Sequence, residues 1–171
     1  MAHAPQPAAA QPEPTPDQPP QRPADARPYA ELACCTNFSF LRGASHAEEL
    51  VRRAVELGLS ALAVTDRHSL AGVVRAYEAA RDYGLKLLVG ARVALQEGQE
   101  FCLYAMNRAG YGNLCRLLTT GKRRAAKGRC DLRLADLPGF TANLQAVLLP
   151  GPSATAAQQI LGPKPCFRAT L

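Results

Sequence analysis

Long apolar runs are missing from this 171-residue sequence. None approaches the ~18 residues a membrane-spanning helix needs, so a helical membrane protein is excluded. No charged start leads into an apolar stretch either, so Met1-Ala2-His3-Ala4-Pro5 does not read as a secretory signal, and a cytoplasmic location is expected. There are six cysteines but no Cys-x-x-Cys pair: Cys34-Cys35 are adjacent, and Cys102, Cys115, Cys130 and Cys166 are scattered. A disulfide scaffold would be denser and a zinc site would need closely spaced ligand pairs. The thiols are therefore expected to be reduced and to pack as small apolar side chains. Histidine is scarce, with three in the chain. The first 28 residues contain no Ile, Val, Leu or Phe, yet hold 9 of the 14 prolines. With backbone donors removed and little apolar surface to bury, 1–28 reads as a disordered Pro/Ala/Gln-rich leader. The remaining 143 residues suffice for one sizeable core.

From Tyr29 onward, short apolar runs alternate with amphipathic stretches. Ser45-His46-Ala47-Glu48 has the pattern of a capping box, with Leu50, Val51, Ala54 and Leu57 following at helical spacing and Gly58 suited to end the helix. Ala61-Leu62-Ala63-Val64-Thr65 reads as a buried strand. A second helix is expected from about Ser69 to Tyr83, closed by Gly84. Further strands are expected at Leu87-Leu88-Val89, Phe101–Met106 and Gln145–Leu149, with one more around Leu32–Thr36. A helix is expected around Tyr111–Thr120. This alternation implies parallel strands joined by helical crossovers, an α/β architecture of about five strands over residues 29–150, with 151–171 as an irregular tail. Ligands of such folds collect at the carboxyl ends of the strands. Three ends are readable: Glu31–Ser39, Thr65-Asp66-Arg67-His68-Ser69 and Gly90-Ala91-Arg92.

At these ends the sequence resembles a family. Glu31 through Gly43, Ala61–Asp66 with Ser69-Leu70-Ala71-Gly72, and Lys86–Gly90 look like the opening of a PHP (polymerase and histidinol phosphatase) domain, a (β/α) barrel. Asn107-Arg108-Ala109-Gly110-Tyr111-Gly112-Asn113-Leu114-Cys115-Arg116-Leu117 narrows the likeness to bacterial C-family DNA polymerase catalytic subunits. Asn37-Phe38-Ser39-Phe40-Leu41-Arg42-Gly43-Ala44-Ser45, with Ser69–Ala76, is most similar to their error-prone branch. The likeness spans roughly residues 29 to 135, in order and with family spacing. It implies a partial PHP barrel whose later motifs would lie beyond Leu171, that is, a truncated chain.

The resemblance also implies a metal site that these residues do not supply. Where metal-binding members carry His-x-His at the end of the first strand, this chain has Glu31 and Ala33; a further histidine position holds Cys35. Their Thr-Asp-His becomes Thr65-Asp66-Arg67, and their glutamate after the third strand becomes Arg92. Arginine stays protonated and offers no lone pair, so no cation shares a shell with two fixed guanidiniums. No cofactor is expected for this chain; the Mg2+ of the family's polymerase chemistry belongs to a palm domain. Asp66 and His68 are the residual metal candidates. Asp66 is expected to cap the following helix or anchor Arg67. His68 lies one place past the ligand position, where a strand-end side chain points elsewhere, and reads as a loop histidine near Asp66. Glu31 is expected to accept from Arg67 or Arg92, replacing the metal by an ion-pair cluster.

Net charge is +6 overall and +7 outside the leader. Lys122, Arg123, Arg124, Lys127 and Arg129 form the one dense cluster, expected either to offset the negative end of a helix or to meet DNA phosphates. The resemblance implies the PHP module of an error-prone DNA-directed DNA polymerase in damage-tolerant replication and repair, structural in role. Its partners would be the remaining polymerase domains and other replication or mutagenesis proteins. Two readings compete with this one: a metal-dependent phosphoesterase or exonuclease, and an inactive truncated product.

Overall fold

The computed structural model describes residues 29–150 and a two-residue strand at Phe167–Arg168. The expected leader and the rest of the expected tail lie outside the described residues. The elements run β1 (Ala30–Cys34), α1 (Ala47–Glu56), β2 (Ala61–Arg67), α2 (Val73–Asp82), β3 (Lys86–Ala94), β4 (Glu100–Ala105), α3 (Arg108–Arg124), a 3-10 turn (Leu134–Gly139), β5 (Leu144–Leu148) and β6 (Phe167–Arg168). They build one sheet in the order β1-β2-β3-β4-β5-β6.

The α/β class holds, but one strand direction departs from expectation. β4 pairs antiparallel with both β3 and β5, so it alone runs against its neighbours; β1-β2, β2-β3 and β5-β6 are parallel. The cause is a tight connection rather than a crossover. Leu95 N–H donates to the Gln99 carbonyl at 2.8 Å, with Gly98 at φ 91 completing the hairpin. Five residues are too few for a helix, and a loop of that length containing glycine returns the chain beside itself. Phe167 and Arg168 pair with Val147 and Leu148.

Helix ends differ in detail. α1 is capped one residue later than Ser45: His46 N–H donates to Glu49 Oε2 at 2.8 Å, while Glu48 faces Arg75 of α2 at 3.3 Å. Gly58 and Gly84 take φ of 71 and 66, the left-handed conformation that terminates α1 and α2. α2 begins at Val73 because Ser69–Gly72 form a turn, in which Ser69 Oγ accepts from Ala71 N–H. α3 is longer than expected, and Asn107 Oδ1 caps it by accepting from Gly110 N–H at 3.0 Å.

Two apolar clusters lie on one face of the sheet. α1 and α2 bury Val51, Ala54, Ala76 and Ala80 against Leu62 and Val64; α3 buries Leu114 and Leu117 against Ala91, Val93, Phe101 and Leu103. By strand alternation Thr65, Arg67, Gly90, Arg92, Glu100, Cys102 and Tyr104 occupy the opposite face. That face is concave. In a flat sheet β1 and β4 would stand about 14 Å apart, three strand spacings. Yet the Tyr104 hydroxyl donates to the Leu32 carbonyl at 2.6 Å, so the sheet is curled into a half-barrel.

Candidate functional site

The carboxyl ends of β1, β2 and β3 converge on the concave face around a cavity of about 330 Å3. Ala33, Cys35, Thr65, Arg42, Arg67 and Arg92 line it, and no carboxylate does. Parallel register sets Arg67 beside Arg92. Two adjacent guanidiniums repel, and the structure resolves this with one carboxylate between them. Arg67 Nη1 meets Glu100 Oε1 at 2.5 Å, and Arg92 donates to Glu100 Oε2 through Nε at 2.8 Å and through Nη2. Burial alone would raise the Glu100 carboxyl, but hydrogen bonds from both arginines outweigh it and hold the group below its ordinary value.

The expected partner of these arginines, Glu31, is not in this cluster. Its carboxylate accepts from the Ala33 N–H at 2.7 Å and from the Tyr29 hydroxyl at 3.2 Å. A carboxylate two residues from an amide on its own strand satisfies it at no cost in loop closure. Glu100 was legible only with the hairpin in hand: β3-β4 pairing sets Arg92 opposite Cys102 and Ala94 opposite Glu100, all on one face.

Asp66 neither caps α2 nor anchors Arg67. It is fully buried and accepts three hydrogen bonds, from Thr36 N–H at 2.8 Å, Thr36 Oγ1 at 2.8 Å and Ser39 Oγ at 2.7 Å. Ser39 Oγ in turn accepts from the Arg67 amide at 2.9 Å. The carboxylate thus staples the β1-α1 loop onto the end of β2. Gly72 exists for this staple: a Cβ there would stand 2.7 Å from Asp66 Oδ2 and 2.8 Å from Thr36 Oγ1.

His68 turns away from Asp66 to the β3 end. Its Nε2 lies 2.9 Å from the Ala94 amide and 3.2 Å from the Ala94 carbonyl, which ties that nitrogen to the β3 backbone, and burial pushes the imidazole below its ordinary pKa. The Cys35 thiol lies 3.7 Å from the Arg42 carbonyl. Burial raises the neighbouring Cys34 thiol to about 11, aided by Cys35, Glu31 and Asp66, so it is protonated at neutral pH. Ala33 offers no ligating atom. Among the described residues no three His, Cys, Asp or Glu side chains group as metal ligands. The donor set that remains does not fit a divalent cation.

The basic cluster divides. Arg124 forms a two-pronged ion pair with Asp136 (2.7 and 2.9 Å) and donates to the Asp131 carbonyl, locking α3 to the 3-10 turn. Lys122, Lys127 and Arg129 instead line a cleft of about 800 Å3, while Arg123 is exposed outside it. Across the cleft stand Phe38, Phe40 and Arg42 of the β1-α1 loop, which sequence reading did not connect with the cluster. Some eighty residues separate the two segments, and only the curl of the sheet joins them.

The PHP domain family matches residues 31–146. Error-prone DNA polymerase 1 of Agrobacterium fabrum is 50% identical over 121 residues, covering 71% of this chain and 11% of that protein. An error-prone DNA polymerase of Bordetella bronchiseptica is 51% identical over 142 residues, 75% of this chain and 14% of that one. The chain therefore spans about an eighth of the length of these relatives. Among solved structures, a protein from Bifidobacterium adolescentis assigned as a metal-dependent phosphoesterase superposes with a TM-score of 0.56 over 80% of this chain and 74% of its own, at 15% identity. That likeness extends to the fold. The half-barrel, the motifs at its strand ends and the match over two thirds of the sequence together make this chain a member of the PHP domain family.

Proposed function

We propose that this chain is the PHP module of an error-prone DNA polymerase, and that its role is to scaffold rather than to catalyse. Half-identity to the corresponding regions of such polymerases supports the family role. The observation that carries the scaffold reading is the Arg67–Glu100–Arg92 cluster. Where metal-binding PHP domains need lone pairs, this chain presents two guanidiniums and spends its nearest carboxylate on them. Template-directed nucleotidyl transfer, with its palm Mg2+, would belong to parts of such a polymerase that this chain does not span. The remaining polymerase domains are the expected partners, and the cytoplasm the expected location; no helix of the described residues is long and apolar enough to cross a membrane.

Isothermal titration of the pure chain with Mn2+ and Zn2+ tests the reading. No saturable heat at the protein concentration is expected. Stoichiometric binding, lost in Asp66→Asn or His68→Ala, would overturn it and favour a phosphoesterase.

A further inference from the structure

The 800 Å3 cleft has a size typical of ligand sites, ~300–1,000 Å3, and its lining combines two features that seldom meet without a ligand. The first is unneutralised charge. Arg42 on one segment and Lys122, Lys127 and Arg129 on another face the same space, none has a carboxylate within ion-pair distance among the described residues, and no acidic residue lines the cleft. The second is displayed aromatic surface. Phe40 is 83% exposed and Phe38 45% exposed.

That exposure is held in place. Arg42 and Gly43 amides donate to the Ser39 carbonyl at 2.9 and 3.0 Å, Asn37 N–H donates to the Ser45 carbonyl at 2.9 Å, and buried Asp66 fixes Thr36 and Ser39 beneath. A Cβ on Gly43 would lie 2.2 Å from the Thr36 carbonyl oxygen, so the loop is wound as tightly as its backbone permits. Phe40 is thus presented from a loop whose backbone is tied down on both sides of it.

We infer that this cleft is a binding site for single-stranded DNA, with phosphates on Lys122, Lys127, Arg129 and Arg42 and a base stacked on Phe40. A duplex could meet the cations, but its bases are already stacked and would leave the phenylalanines bare. Of the two forms of DNA, an unpaired strand is the one that satisfies both features: aromatic platforms take any base by its π-face, and cations follow the backbone. The inference takes DNA as the polyanion from the proposed function and adds which form of it, and where.

Fluorescence anisotropy of the full chain with a labelled twelve-residue oligodeoxythymidylate, across a salt series, tests it. Binding should weaken with log salt at a slope of about −0.7 per phosphate contacted, so about −2 to −3 for three or four contacts. Phe40→Ala should weaken binding at least about fivefold with the slope unchanged, because stacking releases no counterion. Lys127→Ala should reduce the slope by about 0.7. Tyr77→Ala, an exposed aromatic on α2 outside the cleft, should change neither. No binding at 50 mM salt, equal affinity for a duplex of the same length, or Phe40→Ala indistinguishable from the parent would each overturn the inference. None of those results bears on the metal titration, so the two readings fail separately.

Discussion

At the scale of single residues, Asp66 carries the largest consequence. Among the described residues it is the one carboxylate that is fully buried, and its three donors come from one loop. Removing it leaves the buried Thr36 amide and two hydroxyls without their acceptor, and hydrogen bonds to charged groups contribute about 1.5–3 kcal/mol each, not additively. Asp66→Ala should therefore cost on the order of 3 kcal/mol in urea unfolding and release the loop that presents Phe38 and Phe40. A loss below about 1 kcal/mol would show that the staple contributes little. In the family's metal-binding members this position belongs to the metal motif; here the same chemical type has been taken over by architecture. Its position was legible in Thr65-Asp66, its employment was not, because the donors lie about thirty residues away.

At the scale of elements, α3 contains glycines with opposite requirements. A Cβ on Gly110 would lie 2.0 Å from the Asn143 carbonyl, where α3 docks against the turn before β5; the same atom on Gly112 would meet nothing within 4 Å. Backbone cannot yield as a flexible side chain does. Gly110→Ala should destabilise by about 1–3 kcal/mol as overpacking, whereas Gly112→Ala should stabilise by up to about 1 kcal/mol through helix propensity. Guanidinium unfolding midpoints shifting in the same direction for both would refute this account of how α3 is seated. The hairpin between β3 and β4 is the element whose misreading mattered most. Phe101–Ala105 is an apolar run like Ala61–Thr65, and nothing in its composition says which way it runs. The information sat in the short Leu95–Gln99 connection, where Gly98 and the lack of helical length together specify a return.

At the scale of the whole molecule, depressed carboxyls tie stability to pH. Arg124 holds Asp136 below its ordinary 3.8, and Arg67 and Arg92 hold Glu100 below 4.5 against the pull of burial. Groups depressed in the folded state bind protons more tightly when unfolded. Their contribution is whole above the ordinary values and drains away as pH falls through the folded ones. The urea midpoint should fall in two stages: below about pH 6.5, where His68 stays neutral in its buried site but takes up a proton when unfolded, and again below about 4.5 as the carboxyls are protonated. Glu100→Gln should lower the midpoint at pH 7, with the gap to the parent closing as the pH approaches 3. A gap of constant size across that range would mean that Glu100 acts through packing alone.

Local patterns in the chain determined the element series, the helix-ending glycines and the absence of metal ligands at Ala33, Arg67 and Arg92. Each of those depends on a residue's own chemistry or on neighbours within a few positions. Tertiary structure decided the rest: that Glu100 and not Glu31 stands between the arginines, that Asp66 binds a loop and not a helix end, and that Phe40 faces Lys127 across one cleft. Those partnerships depend on strand direction and on the curl of the sheet. Both come from the balance of packing over the entire core, and no short stretch of sequence contains that balance.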